Sequence, residues 1–441
     1  MVDANQSPEM DTPSQSCYSK MPKPSWYKTR LYKHFDNPLS CSAAVAIVTD
    51  PKAVESHAFY PFISFDIKSE RFRKHKRQKP KIRQIRMAAH SDSHIFAYYA
   101  HLLSNAYTSH IKGKPFDKSV LAYRRNLGSN IHFAKDAIEE IRARINCVAI
   151  ALDLTNFFES LDHEILKRNW CKVFSWSKLP SDHYAVFRAI SHYSIVDRDK
   201  CYAALGHINS KGQSEIDPKL SRICSPQEFR NKVRKSGLVT CRAENFGIPQ
   251  GSPISAVLSN VYMLDFDAEM HEHMQKIGGS YRRYCDDILL IIPGTDPLNC
   301  EAVCRDTLKK YGAELKVNEA KTVVSIFKDG QLVLSDKSKL FQYLGFTFNG
   351  QVAKFRSSTV SKYYGRMIRA IRAHKKNAIK KEAYTSQSDL YRREIYRKHS
   401  HLGKRNIFSY VRRSSKLMDD VADVKSQFKK HMGRIKEEIE K

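Results

Sequence analysis

No run of 18 or more apolar residues occurs anywhere in the 441-residue chain, so no segment reads as a membrane span. The first residues, Met1 to Ser19, are polar and rich in Ser and Pro; they lack the apolar centre of an export signal. Cysteines are few and scattered singly, apart from Cys300 and Cys304, which lie one helical turn apart and are expected to be small buried residues. No C-x-x-C pair is present, so a cysteine-held zinc site is not expected, and free thiols suit a reducing cytoplasm. Internal repeats and low-complexity tracts are also missing. Acids are in short supply: 46 Asp and Glu stand against 75 Lys and Arg, a net charge of +29.

What is present bounds the class. Apolar residues make up 41% and charged residues 27%, enough for a real core and too apolar for a disordered polymer. The length suits two or three packed domains or one multi-lobed enzyme. A surplus of +29 repels itself unless something anionic lies against it, and nucleic acid is the obvious partner. A ribosomal-type or heparin-type surface fits the charge as well as an enzyme does.

The surplus is uneven. Residues 66–86 hold ten Lys/Arg against two acids, and residues 351–441 hold 25 against nine. Helical spacing is expected over Tyr98–Ile111, Ile131–Ile145, Leu161–Phe174, Ile254–Met270 and Glu301–Tyr311. CVAIALDLTNFF reads as a buried strand. SYRRYCDDILLIIPG reads as two strands hinged at Cys-Asp-Asp, KTVVSIF as a strand, and FQYLGFTFNG as another. Strand signals vanish after Ser357. Residues 26–65 are mixed, and residues 175–240 carry few periodic signals; the latter are read as an insertion, not a separate fold.

A basic protein that keeps carboxylates inside hydrophobic strands needs a reason. Asp153 ends the run VAIALD, and Asp286 and Asp287 stand between RRY and ILLII. An unpaired buried carboxylate costs several kcal/mol. Three converging acids would repel one another until one took up a proton, unless divalent cations lay among them. Hard oxygen donors suit Mg²⁺. Two such ions about 3.5–4 Å apart activate a hydroxyl and stabilise a leaving pyrophosphate. An isolated Asp-Asp pair is ordinarily a hairpin turn; its surroundings decide the matter.

Those surroundings are an ordered set: LDLTNFF, GIPQGSPISAVLSN, YCDD, NEAKT and FQYLGF. In order and spacing the set resembles the palm motifs of reverse transcriptases over residues 147–350. Upstream, KPKIRQI and SVLAYRRNLGSNIHFAKDA resemble the fingers motifs of bacterial, retron and group II intron-type enzymes. The resemblance implies an α+β right-hand polymerase fold. Its parts would be an N-terminal extension (1–65), fingers (66–146), a palm with an antiparallel sheet backed by helices (147–350, with a fingers insertion at about 175–240) and a basic helical thumb (351–441). It implies two Mg²⁺ ions, replaceable by Mn²⁺, on Asp153, Asp286, Asp287 and the Leu154 backbone, with Asp287 the weaker ligand.

The remaining roles follow by position. Phe158, five residues after Asp153, matches the steric gate that crowds a ribose 2′-hydroxyl; as a plain core aromatic it would pack beside Phe157. Gln250 and Gly251 match the turn that meets the incoming nucleotide, and Gly251 admits close backbone approach. Arg124 matches the fingers arginine that grips the triphosphate, with Lys81 and Arg83 assisting. Lys321 matches the lysine that protonates pyrophosphate, a general acid. Tyr343, Leu344 and Gly345 match the primer grip. Any one of these basic residues is otherwise a solvated charge.

Cys285 departs from the Ala common at its position. It resembles the second type of defence-associated enzyme within the so-called unknown groups. About 90 residues follow the palm motifs, too few for a ribonuclease H beside a thumb, and no acidic set for one is visible. No endonuclease or integrase motif is visible either. The expected function is RNA-directed DNA synthesis in antiphage defence, with a noncoding RNA template, dNTPs and a DNA product, in a cytoplasmic ribonucleoprotein. Untemplated or protein-primed DNA addition is a second possibility, and an RNA-binding scaffold or maturase a third.

Overall fold

A computed structural model describes residues 22–69, 72–73, 76–77, 81–210, 212–335, 340–380, 392–418 and 425–441. The chain divides into two compact units, residues 1–112 with 156–264 and residues 113–155 with 265–441. It is a mixed α+β protein.

The first unit is built on a four-stranded sheet. Lys81–Met87 pairs antiparallel with Phe62–Ser69, which pairs parallel with Ser194–Asp197, which pairs antiparallel with Val239–Cys241. Two of these strands come from residues 175–240, so that stretch completes a sheet begun more than a hundred residues earlier. Phe35, Ile63, Val196, Tyr202 and Phe229 form a core on it. The long helix His90–Ile111 starts well before the expected Tyr98. Asp36 explains the early start: its carboxylate accepts from the backbone N–H groups of His90 (2.8 Å) and Ser91 (2.8 Å), the donors a helix leaves open at its beginning.

The second unit is built on a wholly antiparallel sheet. Its order is Gln331–Ser335, Val323–Lys328, Cys147–Thr155, Asp287–Pro293, Ser280–Tyr284, with Lys316–Val317 also pairing the end of Cys147–Thr155. Cys147–Thr155 is central and apolar, as a strand covered on both faces must be. The helix Asn130–Arg144 packs Ile131, Ala134, Ile138 and Ile141 into the same core as Leu289, Ile291, Phe341 and the C-terminal helices. Cys300 and Cys304 are buried on the helix Cys300–Lys310, as their spacing predicts.

Two expectations need correction. Ile254–Met270 is not one helix but two, Ser255–Tyr262 and Leu264–Lys276, broken at Met263. FQYLGFTFNG is not one strand but a hairpin, Phe341–Tyr343 and Phe346–Phe348. Leu344 (φ 43°) and Gly345 (φ 96°) form its two-residue turn, where positive φ at both positions matches the twist of the strands. The described residues after Ser357 are helical or irregular, as expected. No helix among the described residues is long and apolar enough to cross a membrane.

Candidate active site

The acids sit in the second unit at one end of its sheet. Asp153 stands directly across the ladder from Asp287. The Asp287–Pro293 strand is joined to Ser280–Tyr284 by the two-residue loop Cys285-Asp286. Cys285 has φ 61°, a conformation that normally calls for glycine. Several contacts hold it there. The Arg283 guanidinium donates to the Cys285 carbonyl at 3.0 Å, and the Leu154 N–H donates to the Asp286 carbonyl at 3.1 Å. Tyr123, itself at φ 59°, donates its hydroxyl to Cys285 Sγ at 3.4 Å. Burial pushes the Cys285 thiol up to about 11, so it stays a small neutral group under the turn.

Arg283 is itself clamped. It makes two bonds to Asp267, Nε to Oδ1 at 2.7 Å and Nη2 to Oδ2 at 2.6 Å, and both side chains are wholly buried. Tyr281 donates to the same carboxylate at 2.6 Å. Alternation along Ser280–Tyr284 puts Tyr281 and Arg283 on the inner face. The Leu121 N–H reaches the Arg283 carbonyl at 2.9 Å, so the segment carrying Tyr123 is tied to the same strand. Neither Arg283, Asp267 nor Tyr123 was singled out by the sequence reading. A cation at an inward strand position beside an acidic turn was the available signal.

The electrostatics reflect crowded acids. Burial pushes the Asp287 carboxyl up to about 7, and the neighbouring charges of Asp286 and Asp153 add to it. Asp286 is raised by burial and by Asp153. Lys321 places its ammonium on Asp153 Oδ1, held by a turn in which the Asn318 N–H donates to the Asp153 carbonyl at 2.7 Å. Among the described residues, no three His, Cys, Asp or Glu side chains are gathered as a ready metal cage. The chemistry of the donor set nonetheless fits a hard cation. Carboxylate oxygens lie at one sheet end, Asp286 and Asp153 add to the rise of the Asp287 carboxyl, and an ammonium already lies against Asp153.

Other expected residues of this unit have different surroundings. The Arg124 side chain is buried and gives its guanidinium to Asp117 Oδ1 at 2.5 Å and to the Val120 carbonyl at 3.1 Å. Tyr343 is buried, with its hydroxyl unpartnered among the described residues. Leu344 accepts a bond from Asn130 at 3.3 Å, and the Gly345 carbonyl accepts from the Arg356 N–H at 3.0 Å.

Phe158, Gln250, Gly251, Lys81 and Arg83 belong to the first unit. Asn156 (φ 48°) starts the turn Phe157–Glu159, which buries Phe157 and leaves Phe158 half-buried. The Ile248 N–H donates to the Phe158 carbonyl at 2.7 Å, and the Gln250 carbonyl accepts from the Arg86 N–H at 3.0 Å. A Cβ on Gly251 (φ 115°) would lie 3.0 Å from the Arg86 carbonyl, so that close approach requires glycine. Arg86, missed in the sequence, thus ties the Gln250-Gly251 turn to the Lys81–Met87 strand, and its side chain pairs with Glu159 at 3.4 Å. Arg83 is exposed on that strand, and the side chain of Lys81 lies outside the described residues.

A family model for the reverse transcriptase (RNA-dependent DNA polymerase) domain matches residues 74–348, more than half of the chain. The protein belongs to that family. Among solved structures it is similar to the apo telomerase of Candida tropicalis, with 12% identity and a TM-score of 0.43, covering 86% of this chain and 59% of that one. A form of that telomerase truncated from its C-terminal domain gives 12% identity and 0.41, covering 72% and 61%. The Candida albicans telomerase with a fragment of telomeric RNA gives 10% and 0.39, covering 90% and 58%. The chain therefore spans about 60% of the length of the telomerases it matches.

Proposed function

We propose that this protein copies RNA into DNA by nucleotidyl transfer at the Asp153–Asp286–Asp287 site. One observation carries the reading: Asp153 faces Asp287 across the ladder beside a turn whose carbonyls are pinned by Arg283 and Leu154. Family membership supports it. In this reading Asp153, Asp286 and the Leu154 carbonyl would hold two Mg²⁺ ions, or Mn²⁺, with Asp287 a weaker ligand. The bound ions would supply charge neutralisation and a more acidic primer hydroxyl. The protein's own groups do the rest. Phe158 crowds a 2′-hydroxyl, which selects deoxynucleotides; Gln250 and Gly251 shape the nucleotide's floor; Tyr343, Leu344 and Gly345 support the primer end. Lys321 is the proton donor to pyrophosphate, which requires it to leave Asp153. Arg124 grips the triphosphate, with Lys81 and Arg83 assisting, once its pair with Asp117 opens.

Residues 66–146 then serve as fingers, 147–350 as palm and 351–441 as a thumb that holds the template–primer duplex by its phosphates. Cys285 supports placing the enzyme with the second type of defence-associated bacterial enzymes, which gives it a noncoding RNA template and a ribonucleoprotein setting in antiphage defence.

Primer extension on an RNA template tests the core of this. Replacing Asp286 with Ala is expected to lower the rate by roughly a thousandfold, and a chelator to abolish it. Normal extension in chelator would refute the site. Phe158→Ala is expected to admit ribonucleotides. The sequence of the DNA product separates templated copying from untemplated addition. Survival of the biological effect in an Asp286→Ala, Asp287→Ala double variant would favour a scaffold.

A further inference from the structure

A second cluster of charge lies among the C-terminal helices, within the second unit. A cleft of about 610 Å³ opens between the helix Ser357–Lys380, the end of the helix Arg392–His399 and the loop leading into the helix Ile407–Leu417. Lys362 and Arg366 line one wall, Arg397 and Lys398 a second, and Lys404 and Arg405 a third. No carboxylate among the described residues lines it. Glu394 takes Lys398 at 2.6 Å and lies 3.9 Å from Arg397. Lys362, Arg366, Lys404 and Arg405 have no acidic partner among the described residues. These four exposed cations on three converging segments set up a local positive field that a compact anion would neutralise.

The loop that presents them is built rather than slack. Asn406 donates to the carbonyls of Arg397 at 3.2 Å and Ser400 at 2.7 Å, and Tyr363 donates to the His399 carbonyl at 2.6 Å. The negative end of the helix Arg392–His399 is thereby engaged internally and no longer opposes an anion in the cleft. A Cβ on Gly403 would fall 1.7 Å from the Arg397 carbonyl, so only glycine lets the loop close this tightly. Arg405 is held at φ 57°, a left-handed conformation costly for a side chain of its size.

We propose that this cleft binds a nucleotide triphosphate group, distinct from the phosphates handled at the acidic site. A triphosphate carries about four negative charges, matching the four unpaired cations. The cleft's volume falls in the range of small-ligand sites, about 300–1,000 Å³, whereas an extended duplex backbone needs a groove. The triphosphate can arrive on the 5′ end of an RNA or on a free nucleotide. The site does not depend on the polymerase reading, because it needs only a phosphorylated ligand.

Equilibrium binding to the whole protein decides it. The probes are a short 5′-triphosphorylated RNA, and a 5′-hydroxyl RNA four nucleotides longer, which carries about the same total charge. The triphosphorylated RNA is expected to bind about tenfold more tightly. The preference is expected to vanish in Arg366→Gln and in Arg405→Gly; the second keeps the left-handed backbone while removing the cation. Lys362→Ala, on the same helix as Arg366, gives a third variant that leaves the loop intact, and thermal unfolding checks that each variant is folded. Strong competition by ATP would assign the site to a free nucleotide, and weak competition to an RNA end. Equal affinity for the two RNAs, or a preference that survives all three folded variants, would overturn the proposal. Loss of primer extension in Asp286→Ala with this preference intact would separate the two sites.

Discussion

The acid-bearing sheet and the C-terminal helices share one core but hold their charges in opposite ways. In the sheet, Asp267 and Arg283 are wholly buried and every strong contact of the pair points at another fixed group. In the helices, cations such as Arg366, Arg369 and Lys376 lie on exposed positions around a core of Tyr363, Met367, Ile371 and Phe408. Desolvated charge has to be positioned atom by atom, because an unpaired buried ion costs several kcal/mol. Solvated charge costs little to place and acts only when a polyanion arrives. The first kind sets geometry and the second sets affinity.

The sharpest way to break that contrast is Asp267→Ala. It strands Arg283 in the core, and the expected loss is about 3–5 kcal/mol in denaturant unfolding. Replacing both, Asp267→Leu with Arg283→Met, is expected to recover much of the stability. Extension activity should stay low in that double variant, because nothing then holds the Cys285 carbonyl. A double variant with normal activity would show that the buried pair serves stability alone. The same helix provides the counterpart. Lys276 pairs with Glu272 at 2.8 Å with both side chains about two-thirds exposed, and Lys276→Ala should leave the unfolding midpoint unchanged.

Buried charge chemistry in the first unit gives a smaller test. His34 is fully buried, its Nε2 is 3.1 Å from the Met87 carbonyl, and burial lowers its pKa to about 4. The native state therefore keeps it neutral while the unfolded chain takes up a proton below about 6.5. Its contribution is complete above pH 6.5 and is lost as the pH falls toward 4. The loss amounts to about 3 kcal/mol over that window. Against wild type, His34→Gln should show a shallower fall in stability between pH 6.5 and 4. Parallel curves would mean that the site is wet enough to accept the charge.

Much of this layout was legible in the sequence, and the parts that were not share a cause. Cys147–Thr155 announces itself because a strand covered on both faces is apolar at nearly every position. The Cys-Asp-Asp hinge was readable because two apolar strands flank it. The break at Met263 was hidden: the helix before it is buried almost all round, and no Gly or Pro marks the stop. Strands Ser194–Asp197 and Val239–Cys241 are four and three residues long, too short for any period, and the first pairs with Phe62–Ser69 far upstream. Asp267 and Arg283 each look like surface charges in a basic chain. Only the fold brings them together, and their pairing is what fixes the turn carrying Asp286.

The least disruptive test concerns solvated charge alone. Lys376 is exposed on the helix Ser357–Lys380, in the region proposed to hold nucleic acid by its phosphates. Removing it as Lys376→Ala takes away no buried contact, so the unfolding midpoint should not move. If it neutralises one phosphate, the slope of log affinity against log salt should fall by roughly 0.7–0.9, the counterions released by a single contact. The effect on binding should be clear at low salt, shrink as salt rises, and be the same for every RNA sequence. A change in stability would mean that the helix surface is packed more closely than its exposure implies. A sequence-dependent effect would mean that the region reads bases, and the division between positioned and solvated charge would then no longer hold there.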